Sequence, residues 1–298
     1  MKHGGIVDWA TRPLPYGLKS MLGYPYKTYM HSRYLRQKFG SRYHARDPGP
    51  MPPLDLIETE ALLYAADLSL RAKPAWYFGS GRREAWTVLT MAEQYGFDPG
   101  GMSDVLEFGC GSGRVVRHLR GVTGLHVAGT DANAKAIKWD RSNLLGIDFR
   151  ANLLEPPLAF PDSSFDLIYA LSVFTHIPLH LQRSWLRELH RVLRPDGCLL
   201  LTVHGDAEIN SQLNDIDRLQ LRQTGELTLD AKSPRASFSS QVLGSWDVFQ
   251  TRDQISQTFG EVFEILCYTT EGAAAGQATL VLRRSPGTNG ACRSVSLP

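Results

Sequence analysis

The sequence predicts an α/β fold: a mostly parallel, seven-stranded sheet with helices on both faces, an antiparallel C-terminal hairpin and an N-terminal helical cap. Three observations carry that expectation. Short apolar runs alternate with helix-period segments between residues 104 and 203, the pattern of successive strand–helix units. Val105-Leu106-Glu107-Phe108 runs into Gly109-Cys110-Gly111-Ser112-Gly113, an apolar strand closed by glycines at every second position. The last two apolar runs, 262–268 and 278–283, are separated only by a glycine-rich stretch, so they pair as a hairpin.

Taken in order, residues 1–53 form a basic, aromatic arm that ends in the breaker-rich Asp47-Pro48-Gly49-Pro50-Met51-Pro52-Pro53. Residues 54–100 are the helical cap. Leu54, Ile57, Ala61, Leu62, Ala65 and Leu68 recur at helical spacing over 54–72, and Pro74 stops that helix. Trp76-Tyr77-Phe78-Gly79-Ser80-Gly81 reads as an elbow before a second helix over 82–95. The main domain covers 101–284. Its strands fall at 104–108, 126–130, 147–149, 165–170 and 198–203, with helices near 113–120, from Asn133 to Trp139 and after Pro178. Leu181, Trp185, Leu189 and Val192 make one apolar stripe on that last helix, which Pro195-Asp196-Gly197 ends. Residues 206–250 are polar without a clear period and read as an insertion over the site. Arg252 to Phe259 is a short helix, and 285–298 a disordered tail.

Composition excludes several classes. Apolar residues make up 43% and charged residues 21% of 298, as in an ordinary globular protein. No apolar run approaches the roughly 18 residues a membrane helix needs, and no secretory h-region opens the chain. Cys110, Cys198, Cys267 and Cys292 are scattered, which points to reduced thiols and a cytoplasmic setting rather than a disulfide framework or a zinc site. The first fifty residues carry nine Lys or Arg against Asp8 and Asp47, with six of the eleven tyrosines. Such an arm either packs on the domain as a solvated extension or touches an anionic partner such as a membrane surface.

The glycine spacing discriminates between nucleotide ligands. A dinucleotide loop, G-x-G-x-x-G, needs glycine at position 114, where this chain has Arg114. Here the third glycine comes one residue early. An acid closing the first strand, followed by G-x-G-x-G, resembles the cofactor loop of class I, Rossmann-like S-adenosylmethionine-dependent methyltransferases. Over residues 100–284 the likeness is to bacterial methyltransferases of small molecules and saccharides. Arg191-Val192-Leu193-Arg194-Pro195-Asp196-Gly197 matches as well, with Asp196 where glycine is commoner.

That resemblance implies S-adenosyl-L-methionine as cofactor and assigns roles. Glu107 supports the loop, and Gly109, Cys110, Gly111 and Gly113 let the backbone pass close to the cofactor. The helix after Gly113 presents free amides to its carboxylate. Asp131 ends the second strand eighteen residues on, where a carboxylate can accept both ribose hydroxyls; its competing role is to cap the next helix. Ala132 flanks the adenosine, Asn152 bonds the adenine amino group and Leu153 packs on the ring. Leu171 and Ser172 line the methionine side, and Asp166 is structural.

Ser172-Val173-Phe174-Thr175-His176-Ile177-Pro178 lies nearest the expected methyl transfer. An in-line attack on a sulfonium methyl needs alignment above all, and a hydroxyl acceptor gains from a general base. His176 is the first candidate base and His204, at the exit of the fifth strand, the second. His176 and His180 are four apart, but no acid lies near in sequence to complete a metal site, so no metal is expected. An Asn-Pro-Pro-Tyr or Asp-Pro-Pro-Tyr segment is absent after the fourth strand, which argues against nucleic-acid bases as acceptors. The expected reaction is O-methylation of a small molecule or saccharide. C- or N-methylation of a secondary metabolite or lipid, a non-catalytic cofactor-binding protein and an NAD-dependent oxidoreductase are the alternatives. Oligomeric state is not legible.

Overall fold

A computed structural model describes residues 33–43, 48–57, 73–233, 246–270, 272–274 and 276–284. Residues 58–72 of the helix expected over 54–72, most of the arm, part of the insertion and the tail lie outside them, and the described start of that helix is a 3₁₀ turn, Leu54–Leu56.

Seven strands form the main sheet: β1 (Asp104–Phe108), β2 (His126–Asp131), β3 (Asp148–Ala151), β4 (Phe165–Ala170), β5 (Leu193–Val203), β8 (Glu264–Thr269) and β9 (Ala278–Arg283). Their order is β3-β2-β1-β4-β5-β9-β8. β3 to β5 pair in parallel, while β9 runs antiparallel to both β5 and β8. The strand order reverses between β1 and β4, so the crevice at their C-terminal ends is where such a sheet takes its ligand.

Alternation along the strands builds two cores. Leu106, Phe108, Leu199 and Leu201 face one side with Trp185 and Leu189 of α3 (Leu179–Val192) and Ile255 and Phe259 of α6 (Arg252–Gly260). Val105, Val127, Cys198 and Leu200 face the other with Val88, Leu89 and Ala92 of α1 (Lys73–Gln94) and Ile137 of α2 (Ala134–Asn143).

The structure corrects three expectations. α1 starts at Lys73 and runs unbroken through the supposed elbow, so Pro74 sits in its first turn, where a missing N–H costs nothing. Gly81 serves close packing instead: a Cβ there would lie 2.0 Å from the Arg114 carbonyl oxygen. The described residues of 206–250 form two helices, α4 (Asp206–Gln212) and α5 (Asp215–Thr224), and two strands, β6 (Glu226–Asp230) and β7 (Trp246–Gln250), which pair antiparallel. Leu213, Leu221, Leu227, Leu229 and Phe249 give this unit a small core of its own.

The third correction concerns the glycine loop. No α-helix follows it; residues 116–118 make a single 3₁₀ turn. Side chains brace this turn, although the Arg117 N–H also reaches the Gly113 carbonyl at 3.4 Å. Val116 N–H donates to Glu107 Oε2 at 2.7 Å. The Ser112 carbonyl accepts from Tyr77 Oη at 3.0 Å and Arg117 Nη2 at 2.8 Å, and the Gly113 carbonyl accepts from Arg117 Nε at 2.7 Å.

Residues 48–53 of the arm reach the glycine loop, where the Pro50 carbonyl accepts from Arg117 Nη1 at 2.8 Å, while residues 33–43 dock at the far end of the sheet. Leu35 and Phe39 are buried in the α1 face, and Arg42 donates to the carbonyls of Gly100 at 3.0 Å and Thr123 at 2.9 Å, ahead of β1 and β2. These residues do not cover the crevice.

Candidate cofactor and acceptor site

The crevice is built by three strand ends and their loops. Glu107 is 3% exposed, and its Oε2 also accepts from Tyr169 Oη at 3.2 Å. Burial first, then the Glu107 charge, push the Tyr169 phenol well above its ordinary pKa, so it remains a donor. Glu107 therefore braces the loop from beneath.

Gly109 and Cys110 both donate to the Thr130 carbonyl, at 2.7 and 3.0 Å, locking the loop onto β2. Gly109, Gly111 and Gly113 have φ of +79°, +53° and +68°, values that carry a steric cost for any residue with a Cβ. Packing adds a second demand. A Cβ on Gly109 would stand 2.2 Å from Val173 Cγ2, and one on Gly113 would stand 2.6 Å from Leu144 Cδ1. The loops after β1 and β4 thus touch at the switch point.

Asp131 closes β2. Its Oδ2 accepts from Gly111 N–H at 2.8 Å and its Oδ1 from Asn133 N–H at 2.7 Å. Capping of α2 falls to Asn133, whose side chain accepts from the Lys135 and Ala136 amides. Burial raises the Asp131 carboxyl pKa, offset in part by those two N–H donors. Each carboxylate oxygen retains a second lone pair, which matches a vicinal diol donating two O–H groups. This donor set fits the ribose of an adenosyl cofactor.

Asn152 donates its backbone N–H to the Asp131 carbonyl at 3.0 Å. Its Oδ1 accepts from Thr130 Oγ1 at 2.8 Å, and its Nδ2 donates to the Leu153 carbonyl at 2.7 Å. One lone pair and one N–H of the amide lie beyond these bonds. Ala132 is exposed, and Leu153 is 76% exposed.

At the end of β4, Leu171 is buried and Ser172 adopts φ +57°, a left-handed conformation unusual for a residue with a Cβ. Ser172 N–H donates to Thr202 Oγ1 at 2.8 Å, and both Ser172 Oγ and Thr202 Oγ1 bond Gln277 Oε1, at 3.1 and 2.6 Å. The half-buried Ser172 and the buried Thr202 and Gln277 tie β4, β5 and the approach to β9 together.

The histidines differ in setting. His176 Nδ1 lies 2.8 Å from the Trp246 carbonyl and 4.0 Å from Asp247 Oδ1, both on β7. His180 is exposed on α3. His204 is 4% exposed and stacks on Phe249 with ring centroids 4.4 Å apart. Its Nδ1 is 3.1 Å from Glu208 Oε2 without hydrogen-bond alignment, and neither ring nitrogen has a hydrogen-bond partner. The loop after β4 therefore presents His176, while His204 sits beneath the β6–β7 layer.

Several supporting residues escape the sequence reading. Tyr77 and Arg117 hold the glycine loop, and Arg117 is 1% exposed with its guanidinium over the rings of Tyr77, Phe78 and Trp139. Gln277, Trp246 and Asp247 come from segments without a recognisable motif. Only an arginine inside the apolar run Val115-Val116-Arg117 could have flagged one of them. Asp166 is structural: its Oδ2 accepts from Ser103 and Asp104 amides at 2.8 and 2.9 Å and pairs with Arg194 at 2.7 Å.

Residues 106–201 match the family described as Methyltransferase domain. They form a class I, Rossmann-like methyltransferase domain. S-adenosylmethionine is the cofactor of that domain class. The phthiotriol/phenolphthiotriol dimycocerosates methyltransferase 1 of Mycobacterium ulcerans is 36% identical over 149 residues, covering 47% of this chain and 53% of that protein. The cycloartenol-C-24-methyltransferase of Arabidopsis thaliana is 31% identical over 113 residues, 36% of this chain and 32% of that one. The chain thus spans about a third to a half of these curated relatives. The solved S-adenosylmethionine dependent methyltransferase from Mesorhizobium loti shares the fold, with a TM-score of 0.51 at 16% identity, over 67% of this chain and 98% of that one. Among the described residues no helix is long and apolar enough to cross a membrane.

Proposed function

We propose that the protein transfers a methyl group from S-adenosylmethionine to oxygen on a small molecule or saccharide. When bound, the cofactor supplies an activated sulfonium methyl. Asp131 holds its ribose, the glycine loop passes beside it, and Asn152 and Leu153 meet the adenine. Leu171 and Ser172 line the methionine side. The observation that carries oxygen as the acceptor atom is His176 beside the end of β4. An imidazole at that place can take a hydroxyl proton as the acceptor oxygen attacks, and its Nδ1 is held by the Trp246 carbonyl. The scattered thiols support a cytoplasmic setting.

A second reading, C- or N-methylation of a lipid or secondary metabolite, is favoured by the sterol carbon named for the Arabidopsis relative. Two measurements separate these readings. Calorimetry compares S-adenosylhomocysteine with NAD, and micromolar affinity for the former corresponds to about −8 kcal/mol. Radiolabelled methyl transfer is then followed onto a panel of hydroxylated small molecules, saccharides, sterols and amines. Label on an ether oxygen supports the proposal, and label on carbon or nitrogen replaces it with the second reading. Cofactor binding without transfer to any compound points to a non-catalytic protein, and tighter binding of NAD overturns the cofactor.

A further inference from the structure

β7 joins the crevice by main-chain contacts that no motif announces. Val248 N–H donates to the Thr175 carbonyl at 2.9 Å, and the neighbouring His176 Nδ1 lies 2.8 Å from the Trp246 carbonyl. A carbonyl oxygen can only accept, so this contact requires a proton on Nδ1, which in the neutral ring is the Nδ1–H tautomer. Asp247, between the two contact residues, is 1% exposed, with Oδ1 4.0 Å from the same Nδ1. A carboxylate there favours a proton on the nearer Nδ1 over one on Nε2.

We propose that β7 is a positioning element of the active site, its Trp246 carbonyl and Asp247 carboxylate holding His176 as the Nδ1–H tautomer. Its catalytic meaning rests on His176 being the base, but the tautomer can be measured without any acceptor.

The test uses full-length protein with ¹⁵N-labelled histidine, saturated with S-adenosylhomocysteine, at about pH 8, where a free imidazole is neutral. Long-range ¹H–¹⁵N correlation reads each ring, and loss of one pattern in His176→Gln assigns it. Wild type is expected to show Nδ1 protonated and Nε2 bare. Val248→Pro removes the N–H that docks β7 on Thr175 and should give a mixture of tautomers, whereas Val248→Ala keeps that N–H and should keep the wild-type pattern. Asp247→Asn should raise the Nε2–H share to a detectable fraction. Unchanged affinity for S-adenosylhomocysteine checks that each variant is folded. If Val248→Pro does not fold, Asp247→Asn decides. A wild-type ring in the Nε2–H form, or the same tautomer ratio in every folded variant, overturns the proposal. If the Nδ1–H form holds while His176→Gln turns over as fast as wild type, the base assignment fails and the positioning stands.

Discussion

The two halves of the crevice are built by different means. On the β1–β2 side the three left-handed glycines, the two carboxylates and the amides they accept from all lie within residues 107–133, with Tyr77 and Tyr169 bracing them from outside that window. On the β4–β5 side, the groups that hold Ser172 and His176 come from far along the chain. Gln277 lies 105 residues beyond Ser172, and Trp246 lies 70 beyond His176. The first half is a backbone device that a short sequence window can encode. The second is assembled only by tertiary folding, and it faces the acceptor, where substrates differ. Its parts should therefore separate cleanly under mutation.

The largest expected effect is on the second half. His176→Ala, assayed on the acceptor found by label transfer, should lower kcat by about 10²–10⁴-fold if the imidazole is the base. Affinity for S-adenosylhomocysteine should hold, because the glycine loop and Asp131 are untouched. Full activity in His176→Ala together with loss in His204→Ala would move the role to His204, although that ring is stacked beneath Phe249. If neither matters, alignment alone or an already nucleophilic acceptor drives the reaction.

Next comes Asp131→Ala, which leaves two ribose hydroxyls without their acceptor and frees the Gly111 amide. Calorimetry should show S-adenosylhomocysteine binding weakened by about 1–3 kcal/mol. An unchanged dissociation constant would remove Asp131 from the cofactor site and leave it only the loop-bracing role.

The same contrast explains what the sequence reveals. β1 and β4 lie where the apolar runs place them, at Asp104–Phe108 and Phe165–Ala170, because a buried parallel strand must be continuously apolar. The C-terminal hairpin was readable for want of a helix between its strands. In place of the helix expected after Gly113 there is a single 3₁₀ turn, braced by Glu107, Arg117 and a Tyr77 that arrives from a distant helix, contacts that no short window reveals. Gly79 and Gly81 read as a turn in sequence, yet helix α1 tolerates them, and Gly81 lets its backbone meet the loop. β6 does alternate, burying Leu227 and Leu229, but over only five residues, and β7 buries the polar Asp247 and Gln250 beside Val248 and Phe249, which hides its strand in the sequence.

Gly109→Ala probes the seam where the halves meet. The new Cβ would meet Val173 Cγ2 and force a side chain into φ +79°. The left-handed conformation alone costs about 1–2 kcal/mol. Adding Val173→Ala should relieve the clash and leave that backbone part, so thermal unfolding of the double variant should fall between wild type and Gly109→Ala. A double variant no better than Gly109→Ala would show that Val173 is not the obstacle.

The smallest expected effect is one of pH, and it has opposite signs with and without ligand. Burial raises the Asp131 carboxyl pKa in the unliganded protein. A raised folded-state value means that the protonated form favours folding, so this residue's contribution to stability is present at low pH and is lost as pH rises through that value. Ribose hydroxyls donate to the charged form, so the complex prefers the proton gone. Affinity for S-adenosylhomocysteine should therefore weaken as pH falls through the raised Asp131 value, beginning above the ordinary aspartate range of about 3.9. Asp166 and Glu188 run the other way for the fold. For each, burial raises the carboxyl, but hydrogen bonds from Arg194 or Arg191 and from backbone amides outweigh it and hold the value low. Their stabilisation is present above the usual carboxylate range and lost as pH falls through the lowered values. Acid unfolding is thus expected at lower pH than the loss of cofactor affinity. Isothermal titration across mildly acidic buffers checks the order, with Asp131→Asn as the variant whose pH profile should be flat. A wild-type affinity that stays level until the protein unfolds would mean that Asp131 does not titrate at the cofactor's ribose.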